Sequence, residues 1–585
     1  MVTTALEGAL KDDALRAFAR ALTDVLAAPE HGVQSTSHSR KVLLAVDVSH
    51  HVIFQVLASG AGGKAFYDQL NIDRLVSIDI NTMDASSVQK RIGGGSGASP
   101  DPVVFVVPPK PTTAKLIADS VRSLEGARRC SVLWFPAATS ECTLEMERQG
   151  VAGFTAQRNL SMGLIPIDNR VAALCHDAIF GELYVKGDHR SLTDIVKSIL
   201  AIEKHVGARV EDVVCHGDFA NRVNNMLQLA HTAMGSPQQQ QRSSAVTGNY
   251  SQPMGSAGIQ KLILIDRMQD PLSMLLTPMT YEGLLDALLD VNHGVISYTI
   301  TATDAADSTP SSSSSATNQK SLILNHRDEL FSDIRDVNFN ILISSMLVDI
   351  AQDLVSQARL NGSAVSSVDS SPDSSSNGSQ RNQAAVAFAQ VSALLKKVPN
   401  LVKKKASLAH HLQLVHRIRE LSAEVALRGC VETEMAILSA SKSETRDADR
   451  TSLHSCAARW KTRTLTPRDI HFMFPYTDYA PMSVRLVQDS LLIKYKSSPL
   501  SGILPDSGNK ASAASTASMS SNGSATTSSG SDPKSGPSQV LVYYVGGVTV
   551  AKLAAYRFLN QKQTQFVFLV AATSICNGNR LLRAI

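Results

Sequence analysis

A glycine-rich stretch is the best candidate in this sequence for a phosphate-binding loop. It runs Ser59-Gly60-Ala61-Gly62-Gly63-Lys64-Ala65 and follows a segment of strand-like composition. A phosphate loop also requires a glycine five residues before its last glycine and a serine or threonine after its lysine, whereas this sequence has Ala58 and Ala65 there. We therefore predict that the protein binds no nucleotide. An α/β enzyme that binds ATP or GTP through a degenerate phosphate loop is the alternative hypothesis.

Two aspartates and an arginine form a second candidate site. Asp266, Arg267 and Asp270 come directly after residues 262–265, which have the composition of a buried strand. Ligands of α/β proteins often bind at the carboxyl ends of strands, so these side chains could belong to an active site. We favour the simpler interpretation, in which they form an ion-paired turn that locks the strand end and makes Pro271 the start of a helix or loop.

The sequence contains neither of the two catalytic strings that are easiest to recognise. There is no G-x-S-x-G elbow and no H-E-x-x-H metal motif. The seven cysteines occur singly, which indicates reduced core thiols. His410 and His411 are adjacent, so on a helix they do not share the face that a two-histidine zinc site needs, and we expect core or solvated histidines. We predict no catalytic residue, no metal site and no cofactor.

A run of basic residues is the strongest electrostatic feature of the sequence. Residues 394–428 carry eight basic and two acidic side chains, which gives them a local charge of +6. Such a run is either a solvated helix face or a docking surface for acidic amphipathic helices. The residues assigned to a docking surface are Lys403, Lys404, Lys405, Arg417 and Arg419. The run has no aromatic side chain for base stacking, so we predict no nucleic-acid partner.

Several structural units are needed to position these residues, because 585 residues exceed the size of a single core. The apolar runs 42–46, 103–107 and 132–135 each precede a helical stretch, which predicts buried parallel strands in an α/β unit. A second α/β unit starts at residues 262–265 and resumes after residue 460 with a strand, a helix and a strand over residues 540–570. We expect its two parts to form one sheet. Between about residues 328 and 455 helical periodicity predicts an inserted helical domain.

Four polar tracts interrupt these units, and none of the apolar stretches is long enough to span a bilayer. The tracts comprise residues 236–257, 304–319, 361–383 and 497–538, and their composition predicts disordered insertions. The N-terminus has no apolar run of signal-peptide length. We therefore expect a cytoplasmic protein that contacts membranes only through its partners.

Four motifs, in this order along the chain, resemble those of the SM (Sec/Munc) family. They are residues 264–271 with Thr280-Tyr281-Glu282-Gly283, residues 328–340, residues 479–486 and Gly546-Gly547-Val548-Thr549. The first and last resemble patterns of the whole family, and the two between them resemble its vacuolar protein sorting-associated protein 33 branch. The residues that this resemblance assigns to structural motifs are Asp266, Arg267, Asp270, Arg335, Asp336, Gly546 and Gly547.

The resemblance implies a fold, an α/β protein with an inserted α-helical domain in the three-domain arch of the SM family. The domain limits we predict are 1–165 for the N-terminal α/β domain, with 1–40 unplaced, 166–320 and 459–585 for the two parts of the second, and 321–458 for the helical insertion. It also implies a function. Such proteins are not enzymes but chaperones of SNARE assembly, and this branch belongs to the HOPS and CORVET tethering complexes of the late endosome and the vacuole or lysosome.

Overall fold

The computed structural model describes eleven stretches of the chain, and the statements below concern these stretches. They are residues 2–27, 41–59, 63–93, 102–124, 129–234, 258–299, 319–353, 402–422, 481–492, 537–562 and 565–584. Most of each predicted polar insertion lies outside the described residues. The predicted last residues of two tracts, 304–319 and 497–538, were wrong, because strands begin at Gln319 and at Ser538.

The first α/β unit contains a parallel five-stranded sheet with the strand order β2-β1-β3-β4-β5. Its strands and helices are β1 Val42–Asp47, α2 Val48–Ala58, α3 Gly63–Gln69, β2 Ile72–Ile78, α4 Ala85–Gly93, β3 Val103–Val107, α5 Pro111–Leu124, β4 Cys130–Trp134, α6 Ser140–Arg148 and β5 Ala156–Asn159. The three apolar runs predicted as strands are β1, β3 and β4, and every residue of these strands is buried. That prediction is confirmed.

Helix α1, Val2–Leu26, occupies most of the stretch that sequence analysis left unplaced. Phe18, at 1% exposure, packs edge-on against Phe54 with ring centroids 5.0 Å apart, in the core beside the first sheet. Leu6 and Leu10 pack instead in the core around the helix Leu192–Val206, beyond the first sheet. Helix α1 therefore stabilises two cores at once.

The second α/β unit contains a six-stranded sheet with the strand order β6-β7-β13-β12-β9-β8, in which only the β6–β7 pair is antiparallel. Its strands and helices are β6 Ile165–Asp168, β7 Val171–Ala173, α7 Leu192–Val206, β8 Asp212–His216, α8 Asp218–Ala233, β9 Ile259–Asp266, α9 Leu272–Leu275, α14 Met482–Leu492, β12 Ser538–Val545, α15 Val550–Lys562, β13 Phe566–Ala572 and α16 Gly578–Ala584. Strand β12 pairs in parallel with both β9 and β13. The prediction that two distant parts of the chain form one sheet is confirmed.

The chain between β9 and β12 contributes a small helical core, which is called the insertion below and which starts before residue 321, the predicted limit of the helical domain. Its elements are α10 Tyr281–Leu289, the antiparallel hairpin of β10 Val295–Thr299 and β11 Gln319–Ile323, α11 Glu329–Ile334, α12 Phe339–Ile341 and α13 Val402–Ser422. Tyr281, Phe331 and Leu408 are fully buried in one cluster that joins α10, α11 and α13. The predicted fold class, α/β with inserted helices, is confirmed, and the domain limits stay predictions.

Candidate functional site

The carboxylate of Asp266 joins three segments at the carboxyl end of β9. Its Oδ1 accepts hydrogen bonds from the Tyr184 hydroxyl at 2.5 Å and from the backbone N–H of Met268 at 3.0 Å. Its Oδ2 accepts a third from the backbone N–H of Phe219, in the first turn of α8, at 3.1 Å. Burial and the charge of Asp266 raise the pKa of Tyr184, so this hydroxyl remains a donor. Both oxygens of Asp266 are therefore engaged within the protein.

Asp270 forms a buried ion pair with Lys552, which lies in the first turn of α15. Lys552 Nζ is 3.2 Å from Asp270 Oδ2, and neither side chain is more than 1% exposed. The same oxygen accepts hydrogen bonds from the backbone N–H of Ser483 at 3.2 Å and from its hydroxyl at 2.9 Å. Burial opposes ionisation of Asp270, but the charges of Lys552 and Arg267 outweigh it and hold the pKa of Asp270 at about 2.

The ion pair of Asp270 and Lys552 occupies the carboxyl end of the second sheet, where a ligand could otherwise bind. A helix N-terminus after a parallel strand favours a negative charge, and in nucleotide-binding sheets that charge is a phosphate. Here the negative charge beside the first turn of α15 is the carboxylate of Asp270. Arg267 is 1% exposed and its Nη2 donates to Ser273 Oγ at 3.1 Å. Pro271 immediately precedes α9, as predicted. Asp266, Arg267 and Asp270 hold the end of β9 in place, and Lys552 takes part in the same contacts. Sequence analysis did not single out Lys552.

Gly546 and Gly547 allow close packing where β12 ends. Their φ angles are +89° and +106°, a region that side-chain-bearing residues rarely adopt. A Cβ atom on Gly546 would lie 2.8 Å from the Cβ of Arg267, and one on Gly547 would lie 2.7 Å from the Sγ of Cys576. These two glycines therefore have a backbone role at the same strand ends as Asp266.

Arg335 and Asp336 belong to a second ionic cluster, at the root of the helical insertion. Arg557 of α15 binds Asp336 with both nitrogens of its fork, Nη2 to Oδ1 at 2.6 Å and Nε to Oδ2 at 2.9 Å. Arg557 Nη2 also contacts Glu282 Oε2 in the first turn of α10. Arg335 Nη1 donates to Oδ2 of Asp168, at the end of β6. Two guanidinium groups thus face three carboxylates.

Burial sets the charge of this second cluster. Burial opposes ionisation of Asp168, but its hydrogen bond from His326 and the charge of Arg335 prevail and hold its pKa below the usual range. Burial raises the pKa of Glu282 to about 7 against the opposing charge of Arg557. Glu282 therefore takes up a proton more readily than Asp168. Asp336 is the main counter-ion of Arg557.

Helix α13 carries the predicted docking residues near its two ends, and the residues between them are largely buried. Leu408, Leu412 and Val415 are at most 6% exposed. The side chain of Lys404 is 55% exposed and its Nζ lies 3.9 Å from Glu329, whereas Arg417 is 58% exposed and is bonded to Glu420 at 2.9 Å. Arg419 is half-buried. The side chains of Lys403 and Lys405 lie outside the described residues. Lys404 and Arg417 are both exposed, but they lie 13 residues apart on different sides of α13 and do not form one continuous surface, and the docking role of the basic residues stays a prediction.

The adjacent histidines of α13 are not equivalent. His411 is buried, accepts or donates a hydrogen bond with the Tyr281 hydroxyl at 2.9 Å, and stacks on Phe331. His410 is half-buried and contacts the hydroxyl of Tyr298. Both histidines therefore anchor α13 on its neighbours, in agreement with the expectation of core or solvated residues.

The glycine-rich stretch starts at the end of a helix, so the expectation that it follows a strand was wrong. Ser59 terminates α2, and α3 begins at Gly63. The backbone oxygen of Ser59 accepts a hydrogen bond from Lys11 Nζ at 2.7 Å, and its hydroxyl accepts one from Arg327 at 2.9 Å. The apolar residues of α2 pack as a helix face, which explains why a short apolar run resembled a strand. Residues 60–62 lie outside the described part of the chain.

Two further findings limit the chemistry of the described stretches. Nowhere in them do three His, Cys, Asp or Glu side chains come together in a group that could hold a metal ion. No helix within the same residues has the length and apolarity needed to cross a bilayer.

Comparison with known proteins places the chain in a family. A sequence model of the Sec1 family matches residues 69–470 and 458–584. The chain belongs to the Sec1 family. The predicted SM family is thus confirmed, and the relatives with significant similarity include vacuolar protein sorting-associated protein 33 sequences, the branch that the resemblance indicated.

Two of these relatives show how much of this chain and of the related proteins the alignments cover. The vacuolar protein-sorting-associated protein 33 homolog of Arabidopsis thaliana is 22% identical over 530 residues, which cover 82% of this chain and 86% of that protein. Vacuolar protein sorting-associated protein 33A of Rattus norvegicus is 24% identical over 325 residues, or 55% of this chain. That alignment spans only 48% of the rat protein.

Solved structures of other proteins align along the whole chain at low similarity. The Unc18–syntaxin 1 complex of Monosiga brevicollis has a TM-score of 0.45 with 12% identity, and covers 98% of both chains. The SM protein Vps45 in complex with the Qa SNARE Tlg2 (1–310) has a TM-score of 0.42 with 12% identity, and covers 98% of this chain and 97% of that chain.

The Sec1-family motifs meet in the structure through residues that sequence analysis missed. Asp270 of the first motif accepts hydrogen bonds directly from Ser483 of the third, and Lys552 binds the same carboxylate. Glu282 of the first motif and Asp336 of the second meet through Arg557. Lys552 and Arg557 stand on one helix, three and eight residues after Thr549, the last residue of the fourth motif. The sequence signal for Lys552 and Arg557 is that each is a basic residue in a largely apolar helix.

Proposed function

We propose that the protein is an SM-type chaperone of SNARE assembly, without enzymatic activity of its own. Membership of the Sec1 family, whose model covers most of the chain, is the observation that carries this proposal. The geometry supports it, because the strand ends where an α/β enzyme would bind its ligand hold the protein's own Asp266 and Asp270 carboxylates. SNARE proteins are the partners in this proposal, and they bind through a protein surface instead of a small-molecule pocket.

The proposed docking residues are the basic residues near the two ends of α13. The apolar residues of the helix anchor it in the core of the insertion, and the side chains of Lys404 and Arg417 are exposed. SNARE motifs form amphipathic helices, and an acidic helix surface would meet complementary charge here. Exposed charges act mainly on the rate of encounter and on register, so these residues would accelerate association more than they would strengthen the final complex.

We further propose that the protein acts as a subunit of the HOPS and CORVET tethering complexes at the late endosome and the vacuole or lysosome. The support is the similarity to vacuolar protein sorting-associated protein 33 sequences from a plant and from animals. In this proposal the protein is cytoplasmic, and the other tethering subunits recruit it to the membrane. Affinity purification of the tagged chain from its own cells, followed by mass spectrometry, tests this part, and recovery of SNAREs without any tethering subunit would contradict it.

Association kinetics with purified vacuolar-type SNARE domains test the docking surface. The variant replaces Lys403, Lys404 and Lys405 by Glu, and the control replaces Lys186, Lys197 and Lys204 by Glu, three lysines exposed on the second α/β unit. The first variant should associate more slowly than the wild type and lose much of its salt dependence, because screening acts on exposed charges. The control has the same total charge and should associate faster than the first variant. Equal rates for the two variants would remove α13 from the binding site.

A further inference from the structure

Arg557 is one of several residues that connect the insertion to the second sheet, among which are also Arg335, bound to Asp168, and Arg580, which donates to the backbone oxygen of Val291. Arg557 projects from α15, whose Tyr556 and Leu559 pack in the core of the second unit. Its guanidinium binds Asp336 after α11 and Glu282 at the start of α10, and both helices belong to the core of the insertion. Its Nη1 lies 3.8 Å from Asp168 Oδ2 on β6. Arg557 therefore touches the insertion on one side and the sheet on the other.

Backbone contacts hold the two insertion segments that Arg557 binds in one unit. The backbone N–H of Glu282 donates to the oxygen of Arg335 at 3.0 Å, and that of Tyr281 donates to the oxygen of Val337 at 3.0 Å. The start of α10 and the end of α11 thus form one rigid root. From this root, Tyr281 and Asp328 hold α13 through His411, with a Tyr281–His411 distance of 2.9 Å and an Asp328–His411 distance of 3.3 Å. A rotation of the root would move α13 with it.

We propose that Arg557 is the positioning residue that fixes the orientation of the helical insertion, and with it of α13, relative to the second sheet. The inference rests on the proposed function in one respect, because the orientation matters for SNARE binding only if α13 is the docking helix. The planar fork suits this task, since its two parallel hydrogen bonds to Asp336 define a direction as well as a distance. A lysine at the same place would keep the charge but not the direction.

The surroundings of Arg557 strengthen this contact, which crosses the joint together with the buried pair of Arg335 and Asp168. The side chain of Arg557 is 12% exposed and that of Asp336 is 24% exposed, so solvent screens their attraction little. A cavity beside the contact is lined by Asp168, Glu282 and Arg557 and by apolar side chains from both sides of the joint, among them Leu324 and Leu553. Removal of the guanidinium would break the contact between α15 and the insertion and would leave Asp336 without its main counter-ion.

Three substitutions separate orientation from stability. Arg557→Met removes the guanidinium, and Arg557→Lys keeps the charge without the fork. Arg74→Met removes a half-buried arginine of the first sheet, whose guanidinium bonds the backbone oxygen of Ile92, and serves as the control. Each is made in the full-length protein and compared at a temperature where circular dichroism shows all of them folded. If Arg557→Met does not fold, Arg557→Lys carries the test.

The first readout is the distance between α13 and α15. Spin labels are attached through a ketone-bearing amino acid at His416 and Lys562, both exposed, so that the native cysteines remain unchanged. The second readout is the affinity of the unlabelled proteins for SNARE domains. We expect one narrow distance distribution in the wild type and in Arg74→Met, a broad or displaced one in Arg557→Met, and an intermediate one in Arg557→Lys. If a tenth of the molecules keep the wild-type orientation, the apparent Kd for SNARE domains rises about tenfold.

The outcomes distinguish this inference from the proposed function. An unchanged distance distribution in Arg557→Met overturns the positioning role, whatever the affinities are. A changed distribution with an unchanged affinity overturns its role in binding. A changed distribution in a protein whose wild type binds no SNARE domain supports the mechanical role of Arg557 and refutes the proposed function instead.

Discussion

Gly547→Ala should destabilise the end of β12 more than an ordinary glycine substitution does. The φ angle of +106° costs a side-chain-bearing residue about 1–2 kcal/mol. The added Cβ would lie 2.7 Å from Cys576 Sγ and 3.3 Å from the Ser574 oxygen, and such overpacking typically costs about 1–3 kcal/mol. The two effects together amount to about 2–5 kcal/mol. Gly163→Ala is the matched control, because Gly163 has φ +70° and no atom within 4 Å of the added Cβ.

Hydrogen exchange followed by mass spectrometry measures the difference. We expect the protection of the β12 amides to fall at least about 30-fold in Gly547→Ala, which corresponds to the lower limit of about 2 kcal/mol. Gly163→Ala should reduce the protection of its own segment by about 5- to 30-fold, which corresponds to about 1–2 kcal/mol, because only the backbone conformation is strained there. The double variant Gly547→Ala with Cys576→Ala should recover part of the loss, since it removes the nearest atom. If Gly547→Ala costs no more than Gly163→Ala, the close-packing argument for the glycine motif is wrong.

Three further predictions concern the insertion, the buried carboxyls and nucleotides. Leu412→Ala should destabilise the insertion by about 2–4 kcal/mol because Leu412 is 6% exposed, whereas Glu at positions 403–405 should leave thermal unfolding unchanged. Equal effects would contradict the separate roles assigned to the apolar and the basic residues of α13. Burial raises the pKa of Asp286 to about 6, so its contribution to stability is full below about pH 4 and is lost as the pH rises through 6. The melting temperature of Asp286→Asn should therefore rise relative to the wild type between pH 5 and pH 8, and a constant difference would refute this. Calorimetry should detect no binding of magnesium-ATP or magnesium-GTP, and saturable micromolar binding that Lys64→Ala abolishes would support the enzyme hypothesis.

Strands buried on both faces were predictable from the sequence, and the edge strand was not. Residues of β3 are all apolar because helices cover both faces of the sheet there. Strand β2 lies at the edge and is mostly half-buried, so Asp73 and Arg74 interrupt its pattern. Helix α1 carried a readable signal, since Leu6, Leu10, Ala14, Phe18 and Leu22 recur every four residues and are all buried.

The candidate site was predictable only in part, for a different reason. The residues of the glycine pair and the aspartate turn are close together along the chain, so their motifs could be read. The cations that complete the two ionic clusters come from distant positions, Lys552 for Asp270 and Arg557 for Asp336. No spacing in the sequence connects them, because the pairing depends on how the chain returns to the second sheet after the insertion.

The order of the second sheet has a consequence for how the protein is made. Strand β12 pairs with β9 so that Val540 lies beside Lys261, and β12 is the link between β9 and β13. At about 5–20 residues per second, a ribosome needs roughly 15 to 55 s to synthesise the chain between these two positions. Throughout that interval β9 has β8 on one side and an unpaired edge on the other, with apolar side chains on both faces. The newborn second unit therefore depends on protection from aggregation until its last strands emerge, while the first sheet can already be complete.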